Sequence, residues 1–126
     1  SYVYEEREVT APIASGSHRF HGMIVAPCSM KTVGSIANGM SDNLLERTAD
    51  VCLKERRRLV VVPRETPLNE IHLENMLKLT RAGAIVMPAC PGFYSKPKHI
   101  EDLVNSIVGR ALDLAGIDND VYKRWK

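Results

Sequence analysis

A cluster of polar residues near the start of the chain could bind a phosphate group. Ser29 and Thr32, with Lys31 between them, directly follow an apolar run. Their hydroxyl groups, together with the free backbone N–H groups at the start of a helix, suit an anion, and the lysine adds positive charge. The GxxxxGK[ST] spacing of a P-loop is absent, so a simple N-cap formed by Ser29 or Thr32 remains an alternative to an anion site.

A second polar pair, Arg64 and Glu65, follows another apolar run. Adjacent residues of an extended chain point to opposite sides, so the side chains of Arg64 and Glu65 are expected to contact different groups. Glu65 could act as a general acid or base if its surroundings adjust its pKa. The alternative is that Glu65 only stabilises the start of the following helix, where the helix dipole favours a negative charge.

Further basic residues lie on predicted helices. Arg47 and Lys54 are seven residues apart, which places them on one helix face roughly 10 Å from each other. Arg110 lies at the margin of an apolar helix stripe, where a long side chain can reach solvent. For the pair Arg47 and Lys54, a solvated basic edge and a second anion site both remain open.

The cysteines and histidines do not indicate a metal or disulfide framework. The three cysteines lack CxxC spacing, and an odd number favours a reduced protein. They are predicted to be small buried residues rather than nucleophiles. No metal is assigned from the histidine spacing. The residues concerned are Cys28, Cys52, Cys90, His18, His21, His72 and His99.

These candidate residues are separated by a recurring pattern of four apolar residues followed by proline. The pattern occupies residues 23–27, 59–63 and 84–88. Continuous apolar runs predict strands that are covered on both faces, as in a parallel sheet, and each proline is expected to end its strand.

The intervening segments have helical periodicity. Helices are predicted over residues 43–55, 69–82 and 100–114, with Gly83 and Gly116 closing the last two. Alternating strands and helices predict one α/β domain over residues 1–126, with a parallel sheet between helix layers. Ligands of such sheets bind at the carboxyl ends of the strands, where the polar loops described above would meet.

The overall composition excludes several classes of protein. The 126 residues are 44% hydrophobic and 25% charged, which is ordinary for a globular domain. A net charge of +2 does not indicate a nucleic-acid binder. No apolar run approaches the roughly 18 residues of a membrane span, and the first residues do not form a signal peptide, so a cytoplasmic location is expected.

Seven short segments are spaced along the chain at the ends of the predicted strands and helices. They are APIASGS (11–17), PCSMKT (27–32), NLLER (43–47), LKERR (53–57), PRETP (63–67), HLENM (72–76) and PGFY (91–94). Taken together, these segments resemble the flavin prenyltransferase family. The resemblance extends from about Ala11 to Ile117 with consistent spacing, which makes it far more specific than any single motif.

The resemblance implies a flavodoxin-like, Rossmann-type fold and a specific reaction. Members of this family join dimethylallyl phosphate to reduced FMN without a metal. The new bonds at flavin N5 and C6 close a fourth ring, and the prenylated FMN then serves a partner decarboxylase. The resemblance also implies a homo-oligomer, commonly a dodecamer, with active sites near subunit interfaces. No nucleic-acid or membrane partner is expected.

The resemblance also implies roles for individual residues. Ser29, Met30, Lys31, Thr32 and Arg64 would hold FMN, and Ala14, Ser15 and Gly16 would line its pocket. The phosphate of the prenyl donor would be bound by Lys54, Tyr94 and Arg110, with support from Arg47. Glu65 would be the acid/base residue, and Trp125 would close the pocket from the C-terminal tail.

One departure from the family pattern concerns the first part of the domain. The sequence lacks the strand, Gly-Ala-Ser-Gly loop and helix with which the family begins, so it is expected to be the C-terminal two-thirds of a longer domain. Three alternatives remain open: an FMN-dependent cysteine-type decarboxylase, the small subunit of a hydroxyarylic acid decarboxylase, and an inactive flavin-binding or structural subunit.

Overall fold

The computed structural model describes residues 21–122, which form a parallel sheet with helices on both faces. The sheet order is β1-β2-β3, and both strand pairings are parallel. This arrangement confirms the predicted α/β class. The elements in chain order are β1 (Gly22–Cys28), α1 (Met30–Ala37), α2 (Leu44–Lys54), β2 (Arg58–Pro63), α3 (Glu70–Ala82), β3 (Ile85–Val86) and α4 (Ile100–Leu114).

The central strand β2 supplies both halves of the core. Leu59 and Val61 face one side of the sheet, where they pack with residues of α1, α2 and α3. Val60 and Val62 face the other side, where they meet Ala111 and other apolar residues of α4. All four β2 side chains are buried, as predicted for a continuous apolar run between two helix layers.

Three helices begin at side chains that accept a hydrogen bond from the first turn. The backbone N–H of Thr32 donates to Ser29 Oγ at 3.1 Å, and that of Glu46 donates to Asn43 Oδ1 at 2.8 Å. Asn69 caps α3 in the same way. These caps satisfy N–H groups that lack partners within the helix, which explains the observed starting points.

Helix α4 begins without such a cap, and the carboxylate of Asp102 serves instead. The backbone N–H groups of Lys98 and His99 donate to Asp102 Oδ2 at 2.9 and 3.1 Å. These hydrogen bonds favour the ionised form and so lower the pKa of Asp102. None of the helices found between residues 21 and 122 has the length and apolar character needed to cross a membrane.

The prediction that proline ends each strand is wrong for β1. That strand continues through Pro27 to Cys28, and its register with β2 becomes irregular between Val25 and Cys28. Because β1 lies at the edge of the described sheet, a residue without an N–H donor is tolerated there. By contrast, β2 ends at Pro63 as predicted, and β3 is only two residues long.

The two-sided burial of β2 predicts a large effect of truncation. We expect Leu59→Ala to lower the free energy of unfolding by about 2–5 kcal/mol, because it leaves a cavity at a fully buried position. Leu73→Ala is the matched control, since Leu73 is 52% exposed and should cost less than about 0.5 kcal/mol. Urea denaturation measures both, and equal losses would contradict the assignment of the core.

Candidate functional site

The carboxyl ends of the three strands bring the polar loops of the chain to one edge of the sheet. Ser29 follows β1, and Arg64 and Glu65 follow β2. The loop after β3 is held beside them, because the Ala89 N–H donates to the Pro63 carbonyl at 2.9 Å. Neighbouring strands are about 4.8 Å apart, so one ligand can contact all three loops. The predicted convergence on this edge is confirmed.

At the end of β1, the Ser29 loop combines an N-cap with a potential anion site. Ser29 Oγ accepts the Thr32 N–H and donates to Thr32 Oγ1 at 3.0 Å. Ser29 and Lys31 are exposed, whereas the side chain of Met30 is only 8% exposed and packs in the core. The backbone N–H of Met30 is one of the groups at the start of the helix that lack an intrahelical acceptor, and it is available to a ligand.

Between the ends of β2 and β3 lies a cleft of about 420 Å³. Exposed Arg64 and Glu65 form its polar part. Most of the remaining wall is apolar and includes Leu68, from the loop before α3, and Met76, from α3 itself. An apolar slot with a few polar groups is typical of sites for organic ligands. The remaining lining residues are Pro63, Thr66, Pro88, Ala89, Cys90 and Pro91.

The cysteines differ in their surroundings. Burial raises the pKa of both Cys28 and Cys52 to about 11, so neither is a ready nucleophile near neutral pH. In consequence, the free energy of unfolding should fall as the pH rises from about 9 to about 11, because only the unfolded thiols ionise in that window. The prediction of burial is wrong for Cys90, which is exposed because its loop lines the open cleft.

Lys54 does not join this edge within one chain. Lys54 ends α2, only four residues before β2 begins, so it lies toward the amino end of the sheet. The six residues of β2 then separate it from Glu65 by about 20 Å along the strand direction. The Lys54 ammonium instead lies 3.9 Å from the carboxylate of Glu55. Arg47 is exposed in the first turns of the same helix.

The structure describes two further predicted contacts to a prenyl phosphate, and both are exposed. Arg110 is exposed near the C-terminal end of α4, and that end lies beside Arg58 at the start of β2. Tyr94, which is 76% exposed, belongs to the loop that continues beyond the cleft. The remaining predicted site residues, Ala14, Ser15, Gly16 and Trp125, lie outside the described residues.

Leu68 and Met76 are cleft residues that the sequence reasoning missed. Met76 lies within the HLENM segment, but helical periodicity alone does not reveal which residues of α3 meet a loop from β3. Leu68 follows the PRETP segment directly, and its position next to this segment is the signal that could have identified it as a site residue.

Comparison with known proteins places these features in a family. The family model described as Flavoprotein matches residues 1–112. A flavin prenyltransferase UbiX of Halalkalibacterium halodurans is 62% identical over 94% of this chain and 57% of its own length. One from Methanocaldococcus jannaschii is 57% identical over 97% of this chain and 66% of its own. The chain thus spans less than two-thirds of either relative.

Solved structures share the same architecture. The crystal structure of AnUbiX (PadA1) in complex with FMN and dimethylallyl pyrophosphate matches with a TM-score of 0.97 and 56% identity, over 100% of this chain and 67% of that one. A dodecameric FMN-dependent UbiX-like decarboxylase from Escherichia coli O157:H7 matches with a TM-score of 0.92 and 50% identity, over 96% of this chain and 65% of that one.

The different environments of the thiols predict selective labelling. At pH 8 we expect iodoacetamide to modify Cys90 in the native protein, while Cys28 and Cys52 react only after unfolding in urea. Intact-mass spectrometry counts the added groups, and Cys90→Ser is the control that should remove the native-state product. Rapid native labelling of Cys90→Ser would contradict the burial of the other two thiols.

Proposed function

This chain belongs to the flavoprotein family and, within it, to the flavin prenyltransferases, and from that membership we propose that the protein joins a dimethylallyl group to reduced FMN. The main support is the meeting of the Ser29 loop and the Arg64–Glu65 cleft at one sheet edge. The chain is also 56% identical to a protein solved with FMN and dimethylallyl pyrophosphate.

We assign the FMN contacts to the β1 end of this edge and to Arg64. The exposed Ser29 and Lys31 side chains, with the N–H groups at the start of α1, offer hydrogen bonds and positive charge to a flavin. Arg64 follows the neighbouring parallel strand at the same edge of the sheet, and we assign it a contact to the same molecule. Reduced FMN supplies the nucleophilic N5 and C6 positions of the reaction.

Glu65 is our candidate for proton transfer. When the allyl group joins N5, the C–O bond of the donor breaks and the phosphate leaves with the electron pair. Closure of the ring at C6 requires a proton to be delivered to the allyl double bond and another to be removed from the flavin. An exposed carboxyl group in the cleft, next to Arg64 in the chain, can give and accept such protons.

The departing phosphate needs fixed positive charge, and we propose that other copies of the chain complete the site. Lys54 lies toward the amino end of the sheet, away from Glu65 of the same chain, and Arg110 is exposed near the C-terminal end of α4. Cations stabilise a leaving phosphate only when they are in place as charge develops. An oligomer in which Lys54, Arg110, Arg47 and Tyr94 approach a neighbour's cleft would satisfy this requirement.

An apolar surface on α4 supports self-association. Ile100, Val104 and Val108 recur every four residues and are 79%, 53% and 43% exposed. A second copy of the chain is the occupant we propose, since a protein 50% identical to this one is described as dodecameric. Contact through this face would remove apolar surface from water.

The product is proposed to leave for another enzyme. A prenylated flavin is a cofactor rather than a metabolic end product, so we propose a decarboxylase of the ubiquinone-pathway or aromatic-acid type as its recipient. We further propose a cytoplasmic location, where thiols such as Cys90 stay reduced.

The direct test is to mix the protein anaerobically with reduced FMN and dimethylallyl phosphate, with dimethylallyl diphosphate in a parallel sample. Mass spectrometry of the extracted flavin should show the addition of one five-carbon unit. If the bound flavin keeps the mass of FMN with both donors, the proposed activity is wrong for this protein.

We expect Glu65→Gln to keep FMN binding and to slow prenyl transfer by about 10²–10⁴-fold, because the amide cannot exchange a proton. Glu74→Gln is the matched control, since Glu74 is also exposed but lies outside the cleft lining. Flavin fluorescence measures binding, and flavin mass measures transfer. Normal turnover by Glu65→Gln would remove Glu65 from the mechanism.

A site shared between copies predicts complementation. Lys54→Ala and Glu65→Gln should each be nearly inactive alone, and subunits mixed by denaturation and refolding together should regain part of the activity, because some sites receive both intact residues. Each variant refolded separately is the control. Mixed oligomers that stay as inactive as the separate variants would mean that both residues act within one chain.

A further inference from the structure

We propose that Asp102, in the first turn of α4, is a positioning residue for the loop that carries Tyr94. This loop, here called the Tyr94 loop, comprises residues 91–99 between β3 and α4. The inference rests on the proposed function, in which Tyr94 contacts the phosphate of the prenyl donor. Asp102 itself lies outside the cleft lining and acts on the donor only through the loop.

The Tyr94 loop has no apolar anchor. Every residue from 91 to 99 is exposed or only half-buried, and the large side chains of Phe93 and Tyr94 are 67% and 76% exposed. Behind the loop lies a cavity of about 300 Å³, which is lined by residues 95–98 on one side and by α4 and Tyr122 on the other. Because side-chain burial does not fix the loop, its position depends on hydrogen bonds of its backbone.

Asp102 provides hydrogen bonds at the end of the loop. An acidic residue at the third position of a helix ordinarily accepts the N–H of the capping residue, and Asp102 Oδ2 accepts that of His99 at 3.1 Å. The same oxygen also accepts the N–H of Lys98 at 2.9 Å, and Lys98 precedes the cap and belongs to the loop. Asp102 therefore holds the chain that leads back to Tyr94 as well as the start of α4.

The conformation of the loop requires such a restraint. The Lys96 N–H donates to the Phe93 carbonyl at 3.0 Å, which closes a turn that contains Tyr94. Lys96 has a φ of 56°, in the left-handed region that residues with a side chain seldom adopt. Such a backbone persists only where the surrounding structure holds it. When Asp102 no longer holds Lys98, we expect the turn to relax and Tyr94 to lose its place.

Hydrogen–deuterium exchange of the loop tests the anchor without any turnover. In Asp102→Ala, with FMN bound, we expect the amides of Lys98 and His99 to exchange roughly tenfold faster or more, because their acceptor is gone. Asp102→Asn keeps an oxygen acceptor, so it should restore most of the protection.

The matched control for this exchange experiment is Glu101→Ala. Glu101 is an exposed acidic residue in the same helical turn, but the Lys98 and His99 N–H groups donate to Asp102 and not to it. Its removal should weaken the favourable charge at the helix start without releasing the loop. Equal exchange in Glu101→Ala and Asp102→Ala would overturn the inference.

Donor binding tests whether the anchor acts through Tyr94. Dimethylallyl phosphate is titrated calorimetrically into the protein with oxidised FMN, which does not react. We expect Asp102→Ala to raise the Kd of the donor by roughly tenfold and to leave the affinity for FMN unchanged. In a Tyr94→Phe background the same substitution should have little effect, because the hydroxyl that it positions is already absent. An undiminished loss in that background would show that Asp102 acts without Tyr94 and would overturn the inference.

These binding measurements and the flavin mass separate the inference from the proposed function. A wild-type protein that shows the expected dependence on Asp102 and Tyr94 but leaves FMN unmodified would support the positioning role and contradict the proposed activity. Prenyl transfer with a donor affinity that Asp102→Ala does not change would leave the activity intact and overturn the positioning role.

Discussion

Burial of β2 between two helix layers is the constraint on which the rest of the structure depends. Its alternating side chains supply both cores, with Leu59 and Val61 on one face and Val60 and Val62 on the other. Both neighbouring strands pair with it in parallel, so their carboxyl ends must come out at the same edge. The meeting of the polar loops is therefore a consequence of how the core is built rather than a separate feature of the site.

Polar and apolar groups occupy different parts of that edge. Hydroxyl and N–H groups lie over β1, whereas the cleft over β2 and β3 combines Arg64 and Glu65 with apolar walls. A reaction between a polar flavin and a hydrocarbon donor needs both environments side by side. Lys54, one of the cations proposed for the leaving phosphate, lies toward the other end of the sheet, and this is the reason for proposing a site shared between copies.

The elements were largely predictable because their signals are local. Four consecutive apolar residues before proline indicated each strand, and Asn69 and Gly83 marked the ends of α3 within one residue. The prolines were less reliable as strand ends: β1 continues through Pro27, and β3 ends at Val86, before Pro88, because the end of a strand depends on its place in the sheet. The exposure of Cys90 was mispredicted for a similar reason: a small thiol is usually buried, but its burial depends on what packs over its loop.

The sequence by itself determined the fold class, the loops at the edge and the resemblance to flavin prenyltransferases. These follow from the order of apolar runs and from short motifs, which are properties of neighbouring residues. Only the tertiary structure decided that Met76 and Leu68 line the cleft and that the Lys54 ammonium lies beside the carboxylate of Glu55. The physical reason is that periodicity identifies the buried face of a helix, whereas the loop that this face meets depends on how the helix packs across the sheet.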